Sequence, residues 1–203
     1  MELKTIKPIS GYHYNEYLLV LSPHEDLRDK ILQVQKEFSE KYKSPAAVYS
    51  NPHITLVNFI QFEIREQRLM NHLNSIARSY HPFKVDLKDY GSSPSHTIFI
   101  NVESKQQVQN IIKELKSAQQ LMTLNKENKP HLMDNPHLTV ARQLLAWQYE
   151  KGWLDFSNRH FTGRFVADGM LLLKRAIGAK YQLVRRFEFS NLPPKVQQAQ
   201  LFI

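Results

Sequence analysis

The segment Asn51-Pro52-His53-Ile54-Thr55-Leu56 occurs a second time in the chain, as Asn135-Pro136-His137-Leu138-Thr139-Val140. Asn, Pro, His and Thr are identical in the two copies, and the other positions exchange one aliphatic side chain for another. The copies lie 84 residues apart, a period longer than the roughly 20–50 residues typical of solenoid repeats. Each copy lies between two predicted helices. The repeat therefore indicates an internal duplication that gives two similar lobes.

Strand geometry predicts where the side chains of each copy point. Residues i and i+2 of a strand share one face, so His53 projects with Thr55, and His137 projects with Thr139. Ile54 and its counterpart in the second copy then face the core. A proline before each histidine suits the first residue of a strand, where a missing N–H costs no ladder hydrogen bond. Two lobes related by a pseudo-two-fold axis would bring both His–Thr pairs to one cleft.

Two histidines and two hydroxyls in one cleft suit the chemistry of a phosphodiester. Histidine titrates near neutral pH, so one imidazole can accept a proton while the other donates one. The threonine hydroxyls can donate hydrogen bonds to the non-bridging phosphate oxygens. The predicted catalytic residues are His53, Thr55, His137 and Thr139, and the reaction is opening or transfer of a phosphodiester. We expect no metal and no cofactor.

The rest of the hydrophobic pattern mixes helices with strands. Predicted strands cover residues 17–21, 54–59, 83–87, 97–102, 138–141, 161–166, 170–173 and 181–189. Predicted helices cover residues 26–42, 65–80, 105–122 and 144–154, and residues 91–95 and 125–136 are rich in turn formers. The loop lengths favour antiparallel pairing, so we expect an α+β fold and not a doubly wound parallel sheet. Residues 1–190 would form one bilobed domain with interleaved lobes, and residues 191–203 a peripheral tail.

Composition excludes several other classes of protein. A chain of 203 residues suits one domain, and the absence of cysteine excludes disulfides, thiolate metal sites and cysteine nucleophiles. The glycines form neither a dinucleotide-binding turn nor a phosphate-binding loop, and no serine-hydrolase or zinc-hydrolase motif occurs. The early apolar run at residues 17–21 is too short for a signal peptide or a membrane span, so we expect a cytoplasmic protein. The net charge of +8 favours a polyanionic partner.

The paired His-x-Thr segments resemble the motifs of the two-histidine (2H) phosphoesterase superfamily, and most closely its 2′-5′ RNA ligase-like and cyclic phosphodiesterase group. The second copy continues into Ala141-Arg142, similar to the H-x-T-L-A-R form of that group, and residues 161–189 resemble its last strands. The resemblance covers about residues 14–189. It implies two lobes of antiparallel sheet with outer helices around a central groove. It also implies hydrolysis of 2′,3′-cyclic phosphate ends, or the reverse joining to a 5′-hydroxyl.

The resemblance also suggests roles for individual residues. We expect His137 to act as the base that activates water and His53 as the acid that protonates the leaving oxygen, although pseudo-symmetry leaves the reverse assignment open. Arg142 is a candidate phosphate contact. Lys174 and Arg175 stand where small or acidic residues are expected, and they either bind substrate or lie in a solvated turn. Four aromatic residues could stack on a base, although we expect core packing for each: Tyr12, Tyr14, Phe59 and Tyr181.

Two alternative functions remain open. The chain could be an RNA-binding module on the same scaffold without catalytic activity, since basic charge and a cleft would suffice. It could also be a phosphodiesterase for a cyclic phosphate metabolite that is not RNA. We expect a monomer that binds RNA ends or a phosphorylated small nucleotide and does not associate with membranes.

Overall fold

The computed structural model describes residues 13–45, 51–93 and 96–191. Tyr12 and the predicted tail from residue 192 onward lie outside these ranges. The strands are β1 (Tyr14–Leu21), β2 (Ile54–Phe62), β3 (Phe83–Ser93), β4 (Thr97–Val102), β5 (His131–Leu132), β6 (His137–Arg142), β7 (Thr162–Ala167), β8 (Gly169–Arg175) and β9 (Gln182–Glu188). The helices are α1 (Glu25–Tyr42), α2 (Glu66–Arg78), α3 (Lys105–Leu115), α4 (Gln119–Met122) and α5 (Ala146–Phe156).

All the predicted strands and helices are present, with three differences in detail. The predicted turn at residues 91–95 is wrong in its first part, because β3 continues to Ser93 in a ladder with β4. The predicted helix over residues 105–122 is interrupted by a single 3-10 turn at Lys116–Ala118. The polar segment 125–136 contains the two-residue strand β5, which pairs with β2.

The strands form one antiparallel sheet, in the order β7-β3-β4-β6-β2-β1-β8-β9, with β5 attached to β2. The sheet divides at its centre into a first half (β2, β1, β8 and β9) and a second half (β6, β4, β3 and β7). Within the described residues, β2 and β6 join the halves through one residue pair, Ile54 with Leu138. The predicted α+β class with antiparallel sheets is therefore confirmed.

The helices cover one face of this sheet and cross between its halves. Helix α1 follows a strand of the first half but packs against β6 and β7 of the second half, and against α5. Helix α3 follows a strand of the second half and packs against β2 of the first half. The side chains of the central strands that face these helices are buried, including Ile54 and Leu138, which are both 0% exposed. The opposite face of the sheet carries the His-x-Thr side chains.

The two His-x-Thr strands share an irregularity at the same position. The ladder between β1 and β2 pairs Val20 with Thr55 and then skips Leu56. The ladder between β4 and β6 pairs Phe99 with Thr139 and then skips the residue after it, Val140. A bulge of this kind bends a strand and re-aims its side chains. Its recurrence one residue after each threonine supports the duplication that the sequence predicts.

One buried aromatic side chain helps to fix helix α1 to the second half. Phe38 is fully buried, and its ring lies 4.7 Å from the ring of Tyr42 and 5.3 Å from that of Phe156 on α5. We expect Phe38→Ala to lower the free energy of unfolding by about 3–5 kcal/mol, because it removes buried area and leaves a cavity. Urea unfolding measures this change. The control Leu154→Ala, at a side chain that is 73% exposed, should change stability by less than about 0.5 kcal/mol.

Candidate functional site

The four predicted catalytic side chains meet at the centre of the sheet. Since Ile54 and Leu138 are directly opposite and both face the core, the residues on either side of them face away from it. The antiparallel register sets His53 across from the strand position of Thr139, and Thr55 across from that of His137. The burial patterns of the two copies are identical, with each His and Thr partly exposed between buried neighbours. The structure thus brings all four side chains to one cleft.

Each histidine donates a hydrogen bond to the backbone carbonyl oxygen two residues before it, just ahead of its strand. The Nδ1 atom of His53 lies 2.7 Å from the carbonyl oxygen of Asn51, and Nδ1 of His137 lies 2.8 Å from that of Asn135. A carbonyl oxygen only accepts hydrogen bonds, so Nδ1 carries the proton in both rings. In the neutral imidazole, Nε2 is then left unprotonated. The chain therefore presents two bases, each held in one tautomer by its backbone.

The surroundings lower the pKa of both histidines. Burial is the main cause for His53, since it penalises the charged ring, and the positive charge of Arg142 lowers its pKa further. Burial is also the main cause for His137, where the second positive charge belongs to Lys105 at the start of α3. The hydrogen bond to the backbone carbonyl opposes both shifts. An anion between the two rings would raise both pKa values, because it favours the charged form.

An aromatic ring supports His137 from the neighbouring strand. The centroid of the Phe99 ring lies 4.4 Å from that of His137, with 32° between the ring planes. Gly91 on β3 makes room for this arrangement, because a Cβ atom there would lie 2.5 Å from Cε2 of Phe99 and 2.6 Å from Oδ1 of Asn101. Sequence reasoning missed Phe99 because its alternation in β4 marks it only as a residue facing away from the core.

A buried amide reaches the second motif from α1. Gln35 is 2% exposed, and its Nε2 donates a hydrogen bond of 2.9 Å to the carbonyl oxygen of Thr139, next to the bulge. Bulged strands leave ladder groups without a strand partner, and this side chain supplies one. In the sequence, Gln35 is a polar residue beside the apolar stripe of a helix, a pattern that is also typical of a solvated position, so its role was not predicted.

The three predicted substrate-binding cations have different surroundings. Arg142 ends β6 with an exposed side chain, and no carboxylate among the described residues pairs with it. Lys174 donates to Glu63 at 2.9 Å and to Glu66 at 3.0 Å. Arg175 forms an ion pair with Glu16 and stacks on the ring of Tyr181, 4.4 Å from its centroid.

The strand register separates these three cations further. Lys174 is opposite Tyr17, a core residue, and therefore lies on the helix side of β8, away from the histidines. Arg142 pairs with Thr97, on the same face as Phe99 and Thr139, which places it at the cleft, and its positive charge acts to lower the pKa of both His53 and Tyr181. The structure thus brings Arg142 to the four catalytic candidates, whereas Lys174 does not join them.

Of the aromatic residues considered for base stacking, Phe59 belongs to the core, where its ring stacks on that of Tyr17 at 5.2 Å.

Across residues 13–45, 51–93 and 96–191, no group of three His, Asp or Glu side chains is placed to hold a metal ion. In the same ranges, no helix combines the length and the apolar character needed to cross a bilayer.

A family model described as the 2′-5′ RNA ligase superfamily matches residues 22–178 of this chain. Among solved structures, LigT of E. coli complexed with 3′-AMP has a TM-score of 0.63 at 14% identity, covering 88% of this chain and 99% of that one. TT0787 of Thermus thermophilus has a TM-score of 0.60 at 15% identity, covering 86% and 98%. A structure described as a phosphoesterase has a TM-score of 0.62 at 15% identity, covering 88% and 99%. A comparison with curated protein sequences gave no match.

The two cations beside the histidines should act on them separately. We expect Arg142→Gln to raise the pKa of His53 and leave that of His137 in place, because only His53 feels this charge. Lys105→Gln should do the reverse. Titration of the two imidazoles by NMR in each variant measures both values. Equal shifts of both histidines in either variant would contradict the arrangement of charges described above.

Gly91→Ala tests the packing of Phe99 against His137. The added methyl group would lie too close to the Phe99 ring, so the ring must move away from the imidazole. We expect the NMR signals of His137 to lose the upfield shift caused by the nearby ring, while those of His53 stay unchanged. A matched control is Gly178→Asn, in an open turn at φ 80°, a conformation that asparagine tolerates. Unchanged His137 signals in Gly91→Ala would contradict the prediction.

Proposed function

Because this chain belongs to the 2′-5′ RNA ligase superfamily, we propose that it is a metal-independent phosphodiesterase acting on 2′,3′-cyclic phosphate or 2′-5′ linkages of RNA ends or nucleotides. The family supports phosphodiesterase-type chemistry, and the substrate and mechanism are our proposal. One observation carries it: two histidines and two threonines from duplicated segments share one cleft, with both Nδ1 atoms bonded to backbone carbonyls. The same site could join a cyclic phosphate to a 5′-hydroxyl in the reverse direction.

In the hydrolytic direction, Nε2 of His137 takes a proton from water as the water oxygen bonds to phosphorus. The bond from phosphorus to the ribose oxygen breaks, and Nε2 of His53 gives its proton to that oxygen. The product is a phosphomonoester, and proton exchange with solvent restores both rings. The lowered pKa of each histidine suits the base directly. The acid gains its proton when the anionic phosphate binds and raises its pKa.

The other polar groups of the cleft would hold the phosphate. Thr55 and Thr139 flank the histidines on the same face and can donate to the non-bridging oxygens. We propose that Arg142 stabilises the negative charge of the phosphate, since no carboxylate among the described residues forms an ion pair with it. Lys174 and Arg175 are held by carboxylates, so a direct contact of either with substrate would require an ion pair to break.

The test is phosphorus NMR of a 2′,3′-cyclic nucleotide and a cyclic-phosphate-ended oligonucleotide, with EDTA present. We expect the wild-type protein to convert the cyclic signal to a single phosphomonoester. His53→Ala and His137→Ala should each lower the rate by at least about 100-fold, the usual contribution of general acid–base catalysis. The control His72→Ala removes a histidine of α2 whose Nε2 lies 3.1 Å from Oγ of Ser117, and it should keep full activity.

The outcomes separate the proposal from its alternatives. Full activity in His53→Ala or His137→Ala would contradict the mechanism. Salt-dependent RNA binding that survives both substitutions, without turnover of any cyclic phosphate, would favour a binding module. Turnover of mononucleotide-sized compounds with no gain from longer RNA would favour a metabolite as substrate.

A further inference from the structure

The cleft face of the sheet differs sharply between its two halves. In the second half it carries polar and charged side chains on strands β3 and β4, including Lys88, Ser93, Thr97 and Asn101. In the first half, the same face carries a group of leucines among polar side chains such as Asn58 and Arg175. Four of these residues form what we call the leucine shelf: Leu18, Leu171, Leu173 and Leu183.

Strand register places the leucine shelf on the cleft face. Leu173 is opposite Leu18 on one side and Leu183 on the other, which makes one row across three strands. The alternate residues of these strands, such as Leu19, Met170 and Leu172, belong to the hydrophobic core under the helices. The shelf residues are outside that core cluster and therefore face the other way.

Three of the four shelf leucines are exposed to solvent. Leu183 is 61% exposed and Leu171 and Leu173 are partly exposed, although leucine normally buries its side chain, whereas Leu18 is only 8% exposed. The second half keeps the same strand order with polar residues on this face, so the fold does not need leucines here. Exposed apolar surface that continues into a polar cleft is typical of a ligand groove.

The leucine shelf lies on the same face as the proposed catalytic row, with the buried Val20 (1% exposed) between them. Thr55 pairs with Val20, and Val20 pairs with Leu171, so Leu171 is two strands from Thr55 on the same face. Two strand spacings are roughly 10 Å, within reach of a nucleoside whose phosphate lies between the histidines. Arg175 and Tyr181 close the far end of the shelf with a stacked pair.

We propose that the leucine shelf binds the nucleobase of the substrate, with the ribose oriented toward Thr55 and the two histidines. This inference rests on the proposed function and adds the part of the substrate that the histidines do not contact. Leucine side chains have no hydrogen-bond donor or acceptor, so the shelf recognises the presence of a base and discriminates little between bases. The occupant is a single base, because one row of three strands offers the area of one flat ring system.

The experiment compares two substrates with the same reacting group, adenosine 2′,3′-cyclic phosphate and methyl riboside 2′,3′-cyclic phosphate, which lacks a base. We expect kcat/KM of the wild-type protein to be about tenfold higher for the nucleotide, as covering one face of a base predicts. Leu171→Asn and Leu183→Asn should each reduce this ratio severalfold, mainly through KM. Turnover of the baseless substrate should stay within twofold. The cytidine compound should match the adenosine compound within a few-fold.

Controls distinguish the leucine shelf from stability and from the catalytic proposal. Leu154→Asn replaces an exposed leucine on α5 and should leave the ratio unchanged. Leu183 is so exposed that its replacement should not affect folding, and thermal unfolding of each variant checks this. A kcat/KM ratio near one for the two substrates, or a ratio unchanged in the shelf variants, would contradict nucleobase binding by the leucine shelf and leave the proposed function intact. If Leu171→Asn or Leu183→Asn changed only the molecular mass of the protein in solution and not this ratio, the result would contradict nucleobase binding and indicate an interface between copies of the chain.

Absence of hydrolysis would contradict the proposed function, and measurement of ligand binding then tests the leucine shelf separately. Calorimetry with 3′-AMP and with methyl riboside 3-phosphate gives the same comparison without turnover. We expect 3′-AMP to bind about tenfold more tightly, and Leu183→Asn to remove most of that difference. Equal affinities for the two compounds would overturn the shelf.

Discussion

The pairing of Ile54 with Leu138 is the contact on which the rest of the structure depends. It joins the two halves of the sheet, and it fixes the register of both His-x-Thr segments. A shift of this strand register by one residue would turn the motif histidines and threonines into the core and the two aliphatic residues into the cleft. Burial of Ile54 and Leu138 opposes that shift, because each would lose its full apolar burial. The hydrophobic core thus determines where the polar groups lie.

The crossed helices make this central contact stronger than one residue pair would be. Helix α1 is attached by sequence to the first half and by packing to the second, and α3 makes the opposite connection. Separating the halves would therefore expose both helix faces, including the fully buried Phe38 and Ile111. The amide of Gln35 adds a hydrogen bond across the same junction to Thr139. We infer that the cleft is preorganised, with little freedom to open at its floor.

The repeated segment allowed the sheet class and the four central side chains to be predicted, because strand alternation and duplication are local patterns. Details that depend on cross-strand partners were not predictable. The turn formers at residues 91–93 are strand residues because β4 pairs with them, and Gly91 serves the Phe99 ring. Lys174 follows an apolar strand in the sequence, yet Glu63 and Glu66, more than a hundred residues earlier, determine its surroundings. No local pattern contains that information.

The two motifs are alike, so under the proposed mechanism only the asymmetry of their surroundings could give the two histidines different roles. Both histidines have the same tautomer and a lowered pKa, so neither is acid or base by itself. The leucine shelf continues from the row of Thr55, and that row meets the strand position of His137, so the register alone does not set the ribose beside His53. In the proposed in-line reaction, the histidine beside the leaving ribose oxygen would act as the acid and the histidine on the opposite side of the phosphorus as the base. The side on which the nucleoside lies would therefore decide which histidine takes each role.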